Sequence, residues 1–139
     1  MVDTFLRRDA QFIVTKALPA SAGTNYTAGL DTGLRTSRGA ELAEAELLLT
    51  APALTTTHLP DTETAKYFIQ CDADVNFGSP KTIAADVIVQ TGAGGAGAAA
   101  ATARLRLPTT VEQYVRMGVT TSSGAGDCSG KYATLELLF

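Results

Sequence analysis

The clearest pattern in the chain lies between Ala101 and Phe139, where polar and apolar residues alternate in three successive runs. In Ala103–Leu107, Leu105 and Leu107 fall on one side and Arg104 and Arg106 on the other. In Gln113–Thr121, Val115, Met117 and Val119 face one way, and Tyr114, Arg116 and Thr120 the other. In Lys131–Phe139, Ala133, Leu135, Leu137 and Phe139 oppose Tyr132, Thr134 and Glu136. Leu107-Pro108-Thr109-Thr110 and the Ser/Gly run Ser122–Gly130 separate the three. A period of two bounded by Pro and Gly predicts half-buried antiparallel strands. Three in a row predict a meander with one wet face and one dry face. Phe139 is apolar and in register, so the pattern predicts a chain end inside the sheet.

Upstream the same signals recur more weakly. Gln11–Lys16 is rich in β-branched and aromatic residues and predicts a strand. Leu18–Gly23 reads as a loop, Asn25–Leu30 as a weak strand and Asp31–Gly39 as an exposed loop. Ala40–Thr50 is in conflict with itself. Its Ala, Glu and Leu favour helix by propensity. Yet Ala43, Ala45, Leu47 and Leu49 alternate with Leu42, Glu44, Glu46 and Leu48, no good cap precedes them, and Pro52 ends the run. The alternation predicts a strand over Glu44–Thr50. Ala51–Thr64 is a Pro/Thr loop with the only His, and Ala65–Cys71 and Thr82–Gln90 are strands around the turn Asp72–Lys81. Thr91–Ala101 is a Gly/Ala loop. Residues 1–10 read as an edge strand or as an arm that contacts a neighbour. Seven to eight strands with no βαβ alternation predict an all-β chain. Its architecture is then an antiparallel β-sandwich, jelly-roll-like or immunoglobulin-like, in a single domain spanning residues 1–139.

Composition narrows the function. The 139 residues suffice for one sizeable core. A net charge of −3 argues against a nucleic-acid partner, which needs a basic face to displace counterions. A local basic patch from Arg35, Arg38, Arg104, Arg106 and Arg116 stays open. Two Cys are too few for a disulfide framework and read as free thiols in a reducing compartment. Met1–Asp9 is charged and lacks the apolar segment of a signal peptide. No run approaches the roughly 20 apolar residues of a membrane span. The expectation is a soluble protein made in the cytoplasm, with no membrane partner.

The chemical motifs are fragments. Gly92-x-Gly94-x-x-Gly97 follows a strand, but only Ala98–Thr102 separates it from the next, too short for the crossover helix of a dinucleotide site. Asp72-x-Asp74-x-Asn76 resembles the start of a calcium loop, but Phe77 and Ile83 stand where Gly and Glu belong. It reads as a turn in which short polar side chains bond the local backbone. His58 stands alone, with no His/Cys spacing for zinc and no activated thiolate in view. No catalytic residue, metal ligand or cofactor is predicted, and the chain does not read as an enzyme.

An ordered series of short stretches carries a resemblance. They are Asp9-Ala10-Gln11, Ala20-Ser21 and Leu30-Asp31-Thr32-Gly33, then the segment Ile69–Ile83 with its Asp-rich turn and Ser79-Pro80. Arg106-Leu107-Pro108, Glu112–Met117, a Gly-rich loop and Gly130-Lys131 complete it. In this order the chain resembles the cement, or head-decoration, proteins of tailed bacteriophages of the Bordetella-phage type. The Ala/Glu-rich Ala40–Thr50 and the Thr/Pro loop Thr55–Thr64 depart from the family's pattern. The resemblance implies a jelly-roll sandwich that oligomerises, as a dimer or trimer, on the outer surface of the virion. There it binds the major capsid protein and bridges its subunits, stabilising the expanded head. It brings no catalytic residues and no cofactor. Loops and termini present function on such scaffolds. The expected contact residues are Phe5, Leu6, Arg7 and Arg8 of the first segment and Arg35 and Arg38 of the exposed loop. The rival is a binding module, such as a carbohydrate- or receptor-binding fibre tip. It would draw on Tyr26, Tyr67, Tyr114 and Tyr132, with Tyr114 and Tyr132 as a cross-strand pair.

Overall fold

The computed structural model describes residues 12–32 and 45–138. They hold nine strands: β1 (Ile13–Ala17), β2 (Gly23–Tyr26), β3 (Leu30–Asp31), β4 (Glu46–Ala51), β5 (Thr64–Asp72), β6 (Lys81–Thr91), β7 (Ala101–Arg106), β8 (Tyr114–Thr121) and β9 (Tyr132–Leu138). All pair antiparallel, in sheets of order β1-β9-β4-β7 and β2-β8-β5-β6, with β3 also on β8. β2 and β3 run in succession along β8, so the nine strands fill eight places. Four of the pairings are nested: β1 with β9, β2/β3 with β8, β4 with β7, and β5 with β6. This is one long hairpin with its tip at β5–β6, rolled over so that β4 meets β9 and β5 meets β8. A hairpin rolled in this way is a jelly roll.

Two stacked inner faces make the core. Leu47, Leu49, Ala133, Leu135 and Leu137 of the four-stranded sheet face Tyr67, Ile69, Val115, Met117 and Val119 of the other, all buried. β4 shows how the sheet overrides helix propensity. Its residues alternate buried and half-buried, and β7 and β9 flank it on both sides, so each backbone group finds a partner across a strand. The strand expected at Glu44–Thr50 is therefore present from Glu46, and Glu44 lies outside the described residues.

The expected terminal meander is not formed. β7 and β9 share a sheet but have β4 between them, and β8 lies in the opposite sheet. Each face assignment along the described strands holds, because alternation reports only which side meets the core. It cannot report the neighbour. The connections 107–113 and 122–131 cross between sheets about 10 Å apart. They exceed the roughly two to five residues of a tight hairpin, which is the signal that they change sheet. The Gly/Ala loop likewise crosses between sheets, from β6 to β7.

β6 is an edge strand, and its register with β5 slips between Tyr67 and Gln70. Asp86 sits in the bulge at φ 49°. A bulge that twists an edge protects it from unplanned pairing.

The connections sort to two ends. At one end lie 18–22, 52–63, 92–100 and 122–131. At the other lie 73–80 and 107–113, and there the described chain begins at Phe12 and breaks between Thr32 and Ala45. We call these the stapled end and the open end.

Candidate functional site

The outer face of the five-stranded sheet, beside the open end, carries a cluster built on Arg116. Along β8, Val115, Met117 and Val119 point into the core, so Arg116, Gly118 and Thr120 point outward. The Arg116 guanidinium lies between two rings, 3.8 Å from the Tyr26 centroid and 4.3 Å from that of Phe77. Its Nε and Nη2 donate to Gln70 Oε1 at 3.0 and 2.8 Å. Gln70 faces Arg116 in register across β5–β8. Phe68 meets Tyr26 edge-on, with centroids 6.0 Å apart. Gly118 stands between these two strands in register, and a Cβ there would overlap the Phe68 ring. A mid-strand glycine marks such a close approach. Phe77 holds its place at φ 52°, in the left-handed region that a bulky side chain rarely adopts. Tyr26 is 39 % exposed and Phe77 8 %, so the cluster has an exposed rim and a covered floor.

The turn after β5 supports this floor. Asp72 accepts from the Asp74 and Ser79 amides at 3.0 and 2.8 Å, and Asp74 accepts from the Asn76 amide at 2.9 Å. These backbone bonds hold the Asp72 carboxyl below its usual range. The Asp-rich stretch is thus an Asx turn, as expected. Lys81, at the start of β6, pairs with Glu112 of 107–113, which raises the lysine's pKa.

The stapled end is tied by backbone to backbone. Leu54 and Ala98 exchange amide–carbonyl bonds at 2.9 and 2.8 Å, and the Gly126 amide donates to His58 O at 2.9 Å. The Thr62 amide donates to Gly92 O at 2.9 Å. Glu63 accepts from the Ser122 hydroxyl and, at 2.9 Å, from the Gly124 amide, which together lower its pKa. Below them Gln90, 3 % exposed, accepts from the buried Tyr67 hydroxyl and donates to Pro52 O and Ala99 O.

Single chemical residues are absorbed into this scaffold. His58 Nδ1 accepts from the Thr55 amide at 3.0 Å. Cys128 is buried, and its thiol meets the His58 carbonyl at 3.5 Å, not the imidazole. Burial raises the Cys128 pKa, the opposite of thiolate activation. Cys71 is also buried and free. The expected Tyr114–Tyr132 pair does not form, since β8 and β9 belong to different sheets. Tyr67 is in the core, so the four tyrosines make no common platform. The arginines Arg104 and Arg106 lie on β7 and Arg116 on the other sheet, so these three form no single basic patch. Phe5, Leu6, Arg7, Arg8, Arg35 and Arg38 lie outside the described residues. The segments that carry them join the described sandwich at its open end. The Arg116 cluster was signalled in sequence by Gly118 at an outward position beside Arg116. Alternation alone could not bring Tyr26 and Phe77 to it.

Among known proteins, no family model and no curated protein matches the chain. Solved structures that are similar include the crystal structure of PirA, at 12 % identity and TM-score 0.49, covering 95 % of this chain and 98 % of that one. The naturally occurring empty particle of cowpea mosaic virus gives 7 % identity and TM-score 0.46, covering 92 % and 80 %. The sugar-binding C-terminal domain of EclA gives 10 % and 0.34, covering 97 % and 83 %. The jelly-roll assignment rests on the strand pairings and not on these likenesses.

Proposed function

We propose that the chain is a phage-head cement protein. It binds the outer surface of the capsid through its open end and bridges neighbouring subunits of the major capsid protein. The observation that carries this is the nested strand pairing. The ordered sequence resemblance implies a jelly roll, and the chain folds as one. Two further features support the reading. The segments with the expected contact residues adjoin Phe12, Thr32 and Ala45, all at the open end. The opposite end is closed by its own backbone bonds.

The physics of such a role is linkage. A packed genome pushes outward on a thin shell. A rigid sandwich that touches two capsid subunits gains interface only in the assembled, expanded lattice, so it stabilises that state. Many copies with modest contacts act together. The protein forms a homo-oligomer, a dimer or a trimer, is made in the host cytoplasm, and works without a cofactor.

Co-sedimentation with expanded heads that lack the protein tests this. Saturation at a simple ratio to capsid subunits, with heads made more heat-resistant, is expected. A protein that stays in the supernatant at every concentration rules the proposal out and turns attention to glycan binding.

A further inference from the structure

We infer that the Arg116 cluster is the anchor of the head contact and receives a carboxylate presented by the capsid subunit; this rests on the cement proposal. Among the described residues the ion pairs are Lys81–Glu112 and Arg104–Glu46, and Arg116 is in neither. Its partners are two aromatic rings and one neutral amide oxygen. Lysines at the surface can leave their charge to water. Arg116 is half-buried between rings, where water screens it less. Its charge is therefore complemented by no carboxylate of the described sandwich, and a partner's carboxylate matches it.

The geometry favours that occupant. The Nε/Nη2 edge of the guanidinium is held by Gln70, which leaves the N–H groups of its other edge for an oxygen acceptor. Carboxylates accept two parallel bonds from such an edge. The fork is also fixed in advance. The rings clamp its plane, Gly118 admits Phe68 behind Tyr26, and Phe77 is kept in a strained conformation to close the other side. Strain of this kind collects at ligand clamps, and a preformed clamp loses less entropy on binding. Tyr and Arg are the residues that dominate interface hot spots. A protein acid fits better than a glycan, because Tyr26 and Phe77 each give a face to the guanidinium and Phe77 is covered.

The experiment measures binding of the full chain to heads that lack it, at low and high salt, for the native protein, Arg116→Gln and Arg116→Lys. Breaking a desolvated charge pair at an interface weakens binding by roughly thirtyfold or more. Arg116→Gln is expected to lose at least that and to bind with a flatter salt dependence. Arg116→Lys keeps the charge without the fork and is expected to fall between the two. Thermal melting checks folding, and Arg116→Lys serves as the readout should Arg116→Gln not fold. If the native protein binds and both variants match it in affinity and salt slope, the anchor is elsewhere and the cement proposal stands. Native protein that does not bind heads overturns both. Arg116-dependent binding to acidic glycans, with head binding untouched, also overturns the inference.

Discussion

The two ends of the sandwich are built on different principles. At the stapled end, loops from four places hold each other by main-chain hydrogen bonds, and the buried Gln90 ties two of them to the core through Tyr67. At the open end, the described contacts are mostly side chain to backbone or side chain to side chain: Asp72 in its turn, Lys81 with Glu112, Arg116 with Gln70. Backbone staples need close approach and fix the path of these loops, although Thr55–Thr57 and Ala93–Ala96 remain exposed. Side-chain contacts leave surface to present. On the cement proposal this difference is a division of labour, with one end giving rigidity and the other recognition.

Substituting a glycine at each end separates them most strongly. Gly97 lies at φ +72°, and a Cβ there would overlap the Leu54 carbonyl oxygen. Gly97→Ala adds backbone strain to a clash and is expected to cost about 4 kcal/mol in urea unfolding. Gly78, in the open-end turn, would place its Cβ 3.2 Å from the movable Asp74 carboxylate. Gly78→Ala is expected to cost under ~0.5 kcal/mol. Equal losses would erase the contrast.

Gln90→Leu comes next. It leaves the Tyr67 hydroxyl and the Pro52 and Ala99 carbonyls without their partner, for a loss of about 2–3 kcal/mol. Tyr67→Phe, which removes one bond and leaves only Gln90 Oε1 without its partner, is expected to cost about 1 kcal/mol. A smaller loss for Gln90→Leu than for Tyr67→Phe would show that Gln90 is not the node of the staple.

Acid gives a finer separation. Glu63 has its pKa lowered in the folded state by Ser122 and Gly124. Its contribution is complete above the unfolded carboxylate pKa of about 4.3 and is lost as pH falls through the lower folded value. Stability of Glu63→Gln, measured from pH 7 to pH 3, is expected to be lower than native at neutral pH and to converge on it in acid. A gap that does not narrow would mean that ionisation of Glu63 is irrelevant to the staple.

The smallest effect belongs to the exposed open-end pair. Lys81→Ala is expected to leave the urea-unfolding midpoint almost unchanged, and to shift it still less at high salt. A larger loss would give the open end a mechanical role that its exposed contacts do not suggest.

Period-two alternation made the longer strands legible, because burial of one face is written into every second residue; the weak strand expected at Asn25–Leu30 is instead two short ones, β2 and β3, and β3 takes in Asp31. It identified β4 against its own helix propensity, since Leu47 and Leu49 fell into step with a core. It could not place β8 and β9 in separate sheets, because pairing partners are set by loop geometry and long-range packing. The Asx turn was legible for a local reason: Asp72 and Asp74 bond amides only a few residues away. The Arg116 cluster draws on β2, β5, the 73–80 turn and β8, and no short window of sequence contains it.

Hydrogen exchange of the protein free and bound to heads tests the division of labour most directly. New protection is expected at 73–80, 107–113 and the β8 amides around Arg116, with 52–63, 92–100 and 122–131 unchanged. Protection concentrated on the latter three segments would contradict it and make the stapled end the face that meets the head.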